Sequence, residues 1–305
     1  MRRTAFAAIA ALACAALALV AQAACAAVSV VDDAGNTVTL ARPAQRIVSL
    51  APHATEMLYA AGAGQAVVGA VAHSDWPETA RALPRVGDAA ALDLERIASL
   101  RPDLVVAWPY TAPPQLAALR AQNVAVFVSD PRTIAGIADD MEKLGALAGS
   151  AQAASASARA FRAKLEALAG RHRDSARLRV FYEVWNEPLY TIGGRHLISQ
   201  GIAACGGENV FAALAIAAPS VTVEAVVAAA PDVIVGGADD NRRLPWLDDW
   251  KRWPAIPAVR DGNLFAASGD LLHRPGPRFL DGVAAMCADF DRARERRSSQ
   301  RMSAR

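Results

Sequence analysis

The sequence predicts an α/β protein: two α/β lobes with a ligand cleft between them, joined by one long backbone helix. Three observations predict this. Short apolar runs of strand character alternate with helical stretches along most of the chain, the pattern of parallel sheets covered on both faces. Residues 133–173 carry no strand pattern, and from 150 onward they are dominated by alanine, arginine, lysine and glutamate, a strongly helix-forming composition. A segment also repeats. Residues 94–107 (LERIASLRPDLVVA) align without gaps on residues 223–236 (VEAVVAAAPDVIVG) at an offset of 129 residues, each copy running helix, Pro-Asp, apolar strand. Residues 60–64 (AAGAG) match residues 204–208 (ACGGE) more loosely. Two similar lobes facing each other leave a cleft, a common location for ligand sites.

The elements follow in order. Residues 28–40, with Asp33-Ala34-Gly35-Asn36 in the middle, read as a hairpin. Residues 46–51, 66–71, 103–108 and 124–129 read as strands. Residues 55–61, closed by Gly62, 93–101, stopped by Pro102, and 114–121 read as helices. Together they make an N-terminal lobe, 28–149. The backbone helix spans 150–173, where Phe161, Leu165 and Leu168 recur at the spacing of one helix face, and the break before it falls at Gly149-Ser150. The C-terminal lobe, 177–292, has strands at 178–184, 232–235 and 264–267. Its helices are at 197–205, closed by Gly206-Gly207, at 222–229 and at 278–292. Residues 293–305 read as a solvated, frayed basic tail.

Composition narrows the function. Of 305 residues 53% are hydrophobic and 20% charged, which excludes a disordered or fibrous chain. The net charge of +2 sits at the ends: Arg2 and Arg3, then Arg292, Arg294, Arg296, Arg297, Arg301 and Arg305. The rest carries 24 basic residues against 28 acidic ones, which argues against a nucleic-acid face. Met1-Arg2-Arg3, the unbroken apolar run 5–21 and the small residues Ala24-Cys25-Ala26 have the layout of a secretory signal peptide over 1–26. An N-terminal membrane anchor fits less well because the run is short for a span. A lipid anchor on Cys25 is disfavoured by Gln22. Cys14 and Cys25 leave with the signal peptide. Cys205 and Cys287 then remain for one disulfide in an oxidising compartment, the alternative being two separate buried thiols.

An enzyme reading has little to stand on. There is no nucleophile elbow, dinucleotide fingerprint, phosphate loop or zinc motif, and His53, His73, His172, His196 and His273 are scattered. The pairs Asp139-Asp140, Asp239-Asp240 and Asp248-Asp249 read as solvated faces. Aromatic residues say more. Trp76, Trp108, Tyr110, Trp185 and Tyr190 fall in loops after strands, and in α/β sheets the carboxyl ends of strands face the ligand crevice. Rings there suit a large, flat or apolar ligand; the alternative is that each caps its own lobe's core.

Several stretches together carry a resemblance: residues 46–52 (RIVSLAP), 74–77 (SDWP), 94–97 (LERI), 101–108 (RPDLVVAW), 205–209 (CGGEN) and 270–278 (DLLHRPGPR). In their order and spacing, over about residues 44–290, the chain resembles the periplasmic substrate-binding proteins of ABC importers with a rigid helical backbone. Among these it is most similar to those that bind vitamin B12 (cobalamin). The resemblance implies a monomeric periplasmic receptor, not an enzyme, with no cofactor of its own and with cobalamin as ligand. Its partner would be the permease and ATPase complex in the inner membrane. It puts His73 where the family has a ligand-contacting tyrosine, Trp108 at a cleft tryptophan and Tyr190 at a cleft phenylalanine, with Asp270 and Arg274 as polar residues of the rim. Two family tryptophans are Ala89 and Ala218 here, which leaves Trp76 or Trp185 to supply that surface. The losses keep haem and ferric siderophores open as ligands, with His73 able to meet a bound metal.

Glu95 and Glu224 occupy equivalent places in the repeat, each two residues past an expected N-cap, Asp93 or Thr222. A first-turn carboxylate offsets the helix dipole, but that does not explain its recurrence in both lobes. The resemblance implies that each docks on arginines of the permease. A third reading, a secreted hydrolase or chelatase using a cleft carboxylate, lacks a nucleophile–base motif.

Overall fold

The computed structural model describes residues 27–88, 90–238 and 245–303. The signal-peptide segment 1–26, Ala89, Asp239-Asp240 and Arg305 lie outside the described residues.

Strand β1 (Val28–Val31) pairs antiparallel with β2 (Thr37–Leu40). Asp32 closes the turn: its carboxylate accepts the Ala34 and Asn36 amides at 3.1 and 2.7 Å. The N-terminal sheet contains β3 (Ile47–Ser49), β4 (Val67–Ala70), β5 (Leu104–Ala107) and β6 (Ala125–Val128), all parallel, in the order β4-β3-β5-β6. Helices α1 (Pro52–Ala60), α2 (Leu94–Ser99) and α3 (Pro113–Ala121) connect them. After β6, helix α4 (Ile134–Ala148) buries Ile134, Ile137, Ala138, Met141, Leu144 and Leu147, a single face at helical spacing. It ends where the sequence breaks. Gly149 takes φ +73°, and a Cβ there would stand 2.9 Å from Pro43, so both conformation and space demand glycine.

Helix α5 (Ala151–His172) is the backbone element. Its start is tied to the N-terminal lobe, since Ser150 and Ser157 hydroxyls donate to the Ala61 and Ala60 carbonyls at 2.7 Å each. Its far half meets the last helix, through Lys164 with Asp281 and through His172 with Asp291 at 3.2 Å.

The second sheet holds β7 (Leu178–Glu183), β10 (Gly207–Asn209), β11 (Val233–Ala238) and β12 (Leu264–Ser268), parallel, in the order β10-β7-β11-β12. This is the same order as in the first sheet. Between β7 and β10 lie the short hairpin β8 (Trp185–Asn186) and β9 (Leu189–Tyr190), then α6 (Leu197–Ala204). Helices α7 (Val223–Ala229), α8 (Pro257–Arg260), α9 (Gly269–Leu272) and α10 (Phe279–Ser303) complete the lobe.

The repeat is therefore structural. The Asp103 carboxylate accepts the Arg46 amide at 3.0 Å and the Arg46 Nε donates to the Leu100 carbonyl at 2.8 Å. In the second lobe Asp232 accepts the Arg179 amide at 2.9 Å and the Arg179 guanidinium donates to the Ala229 carbonyl at 2.8 Å. Each Pro-Asp thus anchors the start of the neighbouring central strand. One apolar core runs unbroken across both lobes, from Ile47, Leu104 and Phe127 to Val180, Val235 and Phe290, while smaller clusters cover the far face of each sheet.

Three expectations need correction. The final helix does not stop at 292, and residues 293–303 are no frayed tail: α10 continues to Ser303. Arg294 holds it down, donating to the Ala176 and Cys205 carbonyls at 2.9 and 2.6 Å, and Arg296 lies 5.8 Å over the Phe265 ring and reaches Asn263 at 3.2 Å. Asp140 does not sit on a solvated face. It is fully buried, accepts the Ser129 hydroxyl at 2.7 Å and pairs with Lys143 at 3.1 Å; burial, then the charge of Asp33, push its carboxyl up to about 7. Trp185 and Tyr190 do not sit in an open loop: they pair with each other across the β8–β9 hairpin. Cys205 and Cys287 form a disulfide that pins α10 to the end of α6.

Candidate interlobe ligand cleft

The carboxyl ends of the parallel strands deliver the residues of the cleft. β5 ends at Ala107 and releases Trp108 and Tyr110; β6 ends at Val128 and releases Asp130 and Arg132; β4 ends at Ala70 and releases His73. From the other lobe come Arg195 and His196, just before α6, and Leu272 and His273, at the end of α9. All of these except His73 line a cavity of about 140 Å³ between the lobes, walled on one side by Trp108, Tyr110, Asp130 and Arg132 and on the other by Arg195, His196, Leu272 and His273. A second cavity of about 210 Å³ adjoins it within the N-terminal lobe, where Leu50, Val71, Leu92 and His73 meet the same two rings.

Trp108 and Tyr110 stand edge to face, ring centres 4.6 Å apart, and Trp108 rests edge-on against His53 at 5.5 Å. His53, on α1, is buried with its Nε2 unpartnered; burial holds its imidazole down to about 4, so it stays neutral. His73 adopts φ +62°, an uncommon conformation for a residue other than glycine, at the wall of the second cavity. His196 caps α6, its Nδ1 accepting the Ile198 amide at 3.1 Å, while the Tyr182 hydroxyl and His273 Nε2 meet at 3.0 Å.

Beside the cleft a charged cluster ties the lobes together. Arg274 of the C-terminal lobe pairs with Asp75 of the other at 2.7 Å, and with Asp270 at 2.7 Å. Arg278 grips the buried Glu56 of α1 with two donors, at 2.6 and 3.0 Å, pairs with Asp270 at 3.0 Å and lies 4.7 Å over the Trp76 ring. Burial raises the Glu56 carboxyl, and the hydrogen bonds from Arg278 oppose that rise. Burial would also raise Asp75, but the hydrogen bond and charge of Arg274 outweigh it and hold that carboxyl below its usual value.

The expected site residues thus fall into three groups. His73, Trp108 and Tyr110 come together at the cavities. Trp76, Asp270 and Arg274 come together in the interlobe ion cluster, where Arg274 is already committed to carboxylates. Trp185 and Tyr190 lie on the β8–β9 hairpin, both exposed, and line neither of these two cavities; the Trp185 indole donates to the Glu187 carbonyl at 3.0 Å. Exposed Ala218 stands one residue from Ala217, which lines the interlobe cavity. Glu95 and Glu224 are both exposed in the first turns of α2 and α7, behind the N-caps Asp93 and Thr222. Sequence reasoning missed His53, Glu56, Arg195, His196 and Arg278. Only Arg278 had a local signal, since it ends the motif 270–278.

Among the described residues no cluster of three or more His, Cys, Asp or Glu can hold a metal ion, and no helix is long and apolar enough to cross a membrane.

Comparison with known proteins agrees with this architecture. Residues 47–271 match the family model described as periplasmic binding protein. A protein of Vibrio parahaemolyticus named Vitamin B12-binding protein is 34% identical over 267 residues, covering 86% of this chain and 95% of its own length. A Vibrio cholerae protein of the same name is 36% identical over 249 residues, with 80% and 88% covered. The crystal structure of the periplasmic vitamin B12 binding protein BtuF of Vibrio cholerae superposes with a TM-score of 0.74 at 34% identity, over 83% of this chain and 98% of that one. The periplasmic heme-binding protein RhuT from Roseiflexus superposes at 0.72 with 27% identity, over 82% and 98%. With the family model spanning most of the chain and relatives 34 and 36% identical over most of their own length, this chain belongs to the periplasmic binding proteins.

Proposed function

We propose that the protein is a periplasmic receptor that captures cobalamin or a related corrinoid in the interlobe cleft and hands it to the permease and ATPase of an ABC importer. The observation that carries this reading is the pair Trp108 and Tyr110, which lines both cavities where the lobes meet. Rings at a crevice suit a ligand with a broad apolar face, such as a macrocycle. The names of the relatives at 34 and 36% identity support the same ligand. His73, Trp108 and Tyr110 form the ligand floor. Trp76, Asp270 and Arg274 form its rim, and Trp185 and Tyr190 its outer edge on the hairpin.

The receptor acts by binding, as its family does, and works as a monomer. Glu95 and Glu224 dock it on the permease. In a parallel α/β sheet the crossover helix runs back against its strands, so its N-terminus lies at the carboxyl edge that faces the ligand crevice. Both carboxylates therefore stand at the cleft end of their lobes, exposed and equivalent by the repeat.

A haem reading is favoured by one observation, the exposed His73 held at φ +62° beside an apolar cavity. The absorbance spectrum of the purified protein separates the two. A corrin band in the co-purifying chromophore supports the first reading and a Soret band supports the second.

A further inference from the structure

The charges of the cleft are unevenly matched. Arg274 and Arg278 are neutralised by Glu56, Asp75 and Asp270, and Arg132 pairs with Asp130. Arg195 is different. It is exposed, it lines the interlobe cavity, and among the described residues it has no carboxylate partner.

The residues that follow it add donors. His196 accepts the Ile198 amide through Nδ1 at 3.1 Å, which places the ring proton on Nε2. Burial, then the charge of His273, hold His196 down to about 4, so at neutral pH it donates without carrying charge. Leu197 is the first residue of α6, and a first-turn amide has no partner within its helix. All three residues line the same cavity wall, with Trp108 and Tyr110 contributed by the facing lobe. A guanidinium, an imidazole N–H and a helix-start amide on one wall make a site for a single anionic group, carried by a ligand whose bulk is apolar.

We propose that this wall is an anion subsite, and that it takes the phosphodiester of a corrinoid's nucleotide tail while the ring system lies on Trp108 and Tyr110. This rests on the corrinoid reading above and assigns a specificity role to Arg195, whose neighbours orient the same oxygen atoms.

The test is calorimetric titration of the mature chain with cyanocobalamin, with dicyanocobinamide, which lacks the phosphodiester, and with haemin. Wild type, Arg195→Gln and Arg195→Lys are compared at low and high salt. Among the described residues Arg195 has no carboxylate partner for folding to depend on, and melting curves check that the variants are folded. A charge-assisted contact predicts that wild type prefers cobalamin to cobinamide by about 10-fold or more at low salt. That preference should shrink as salt rises. Arg195→Gln should remove it by weakening cobalamin alone, and Arg195→Lys should keep part of it. Equal weakening of both corrinoids, or no preference in wild type, overturns the inference and leaves the corrinoid reading standing. Wild type that binds neither corrinoid overturns both. Haemin binding that depends on Arg195, without cobalamin binding, assigns the wall to carboxylates and overturns the phosphodiester.

Discussion

Trp108 connects the core to the cleft. One edge rests on buried His53, the other side meets Tyr110, and the exposed part lines both cavities. Trp108→Ala should weaken ligand binding by about 1–3 kcal/mol, as loss of a buried aromatic anchor does. Tyr110 is largely exposed and holds less of the fold, so Tyr110→Ala should lose affinity with the melting temperature unchanged. Titration beside a thermal melt reads both effects. His53 gives a prediction in pH. Its folded value of about 4 lies below the ordinary 6.5, so between these values the unfolded chain binds the extra proton and stability is lost as pH falls. Other buried groups shift in the opposite sense, notably Asp140 and Glu183, both pushed up to about 7 by burial first. The test is therefore differential. Relative to His53→Leu, wild type should lose about 3 kcal/mol between pH 7 and pH 4 by urea denaturation. A constant difference across that range would mean His53 is not buried neutral. Trp108 could be picked from the sequence because it ends an apolar strand. His53 could not, since nothing near Pro52 marks the residue as lying under another lobe's loop, and Glu56 meets Arg278 from 222 positions away.

At the scale of elements, the strands and helices that carry the repeat were legible because Pro-Asp halts each helix and seeds the next strand. Two elements hid. β10 starts in the Gly-Gly that reads as a helix stop, and its pairing with β7 comes from tertiary context rather than propensity. The last turns of α10 hid behind their charge: the same arginines that suggest a frayed tail are spent on carbonyls at 176 and 205 and on the Phe265 ring. Arg294→Ala should therefore destabilise the fold by about 0.5–1.5 kcal/mol, since the Cys205 carbonyl, in a half-buried bond, and the exposed Ala176 carbonyl lose their donor, and chemical denaturation measures it. Reducing the Cys205–Cys287 bond, which closes 82 residues of sequence separation, should cost up to about 4–5 kcal/mol on the chain-entropy model. A thiol assay on the oxidised, unfolded protein that finds two free thiols would contradict the pairing.

For the whole molecule, the lobes share one core, one backbone helix and an ion cluster that crosses between them. These links should limit closure on a ligand, and small-angle scattering should give the same radius of gyration with and without cobalamin. Pseudo-symmetry sets the docking prediction. Glu95→Ala and Glu224→Ala should each bind ligand normally yet lose stimulation of the importer's ATPase. A desolvated charge pair truncated on one side costs about 2–5 kcal/mol. If these positions dock on basic residues of the permease, arginine at either should be worse than alanine, because it would set like charges against each other. If both alanine variants stimulate as wild type does, the carboxylates serve only their own helices. Whether a corrinoid occupies the cleft is read by calorimetric titration of the mature protein with cyanocobalamin and with haemin. Cyanocobalamin should fill one saturable site, weakened by Trp108→Ala, and bind tighter than any haemin. Haemin binding with no heat from cyanocobalamin would contradict the corrinoid reading.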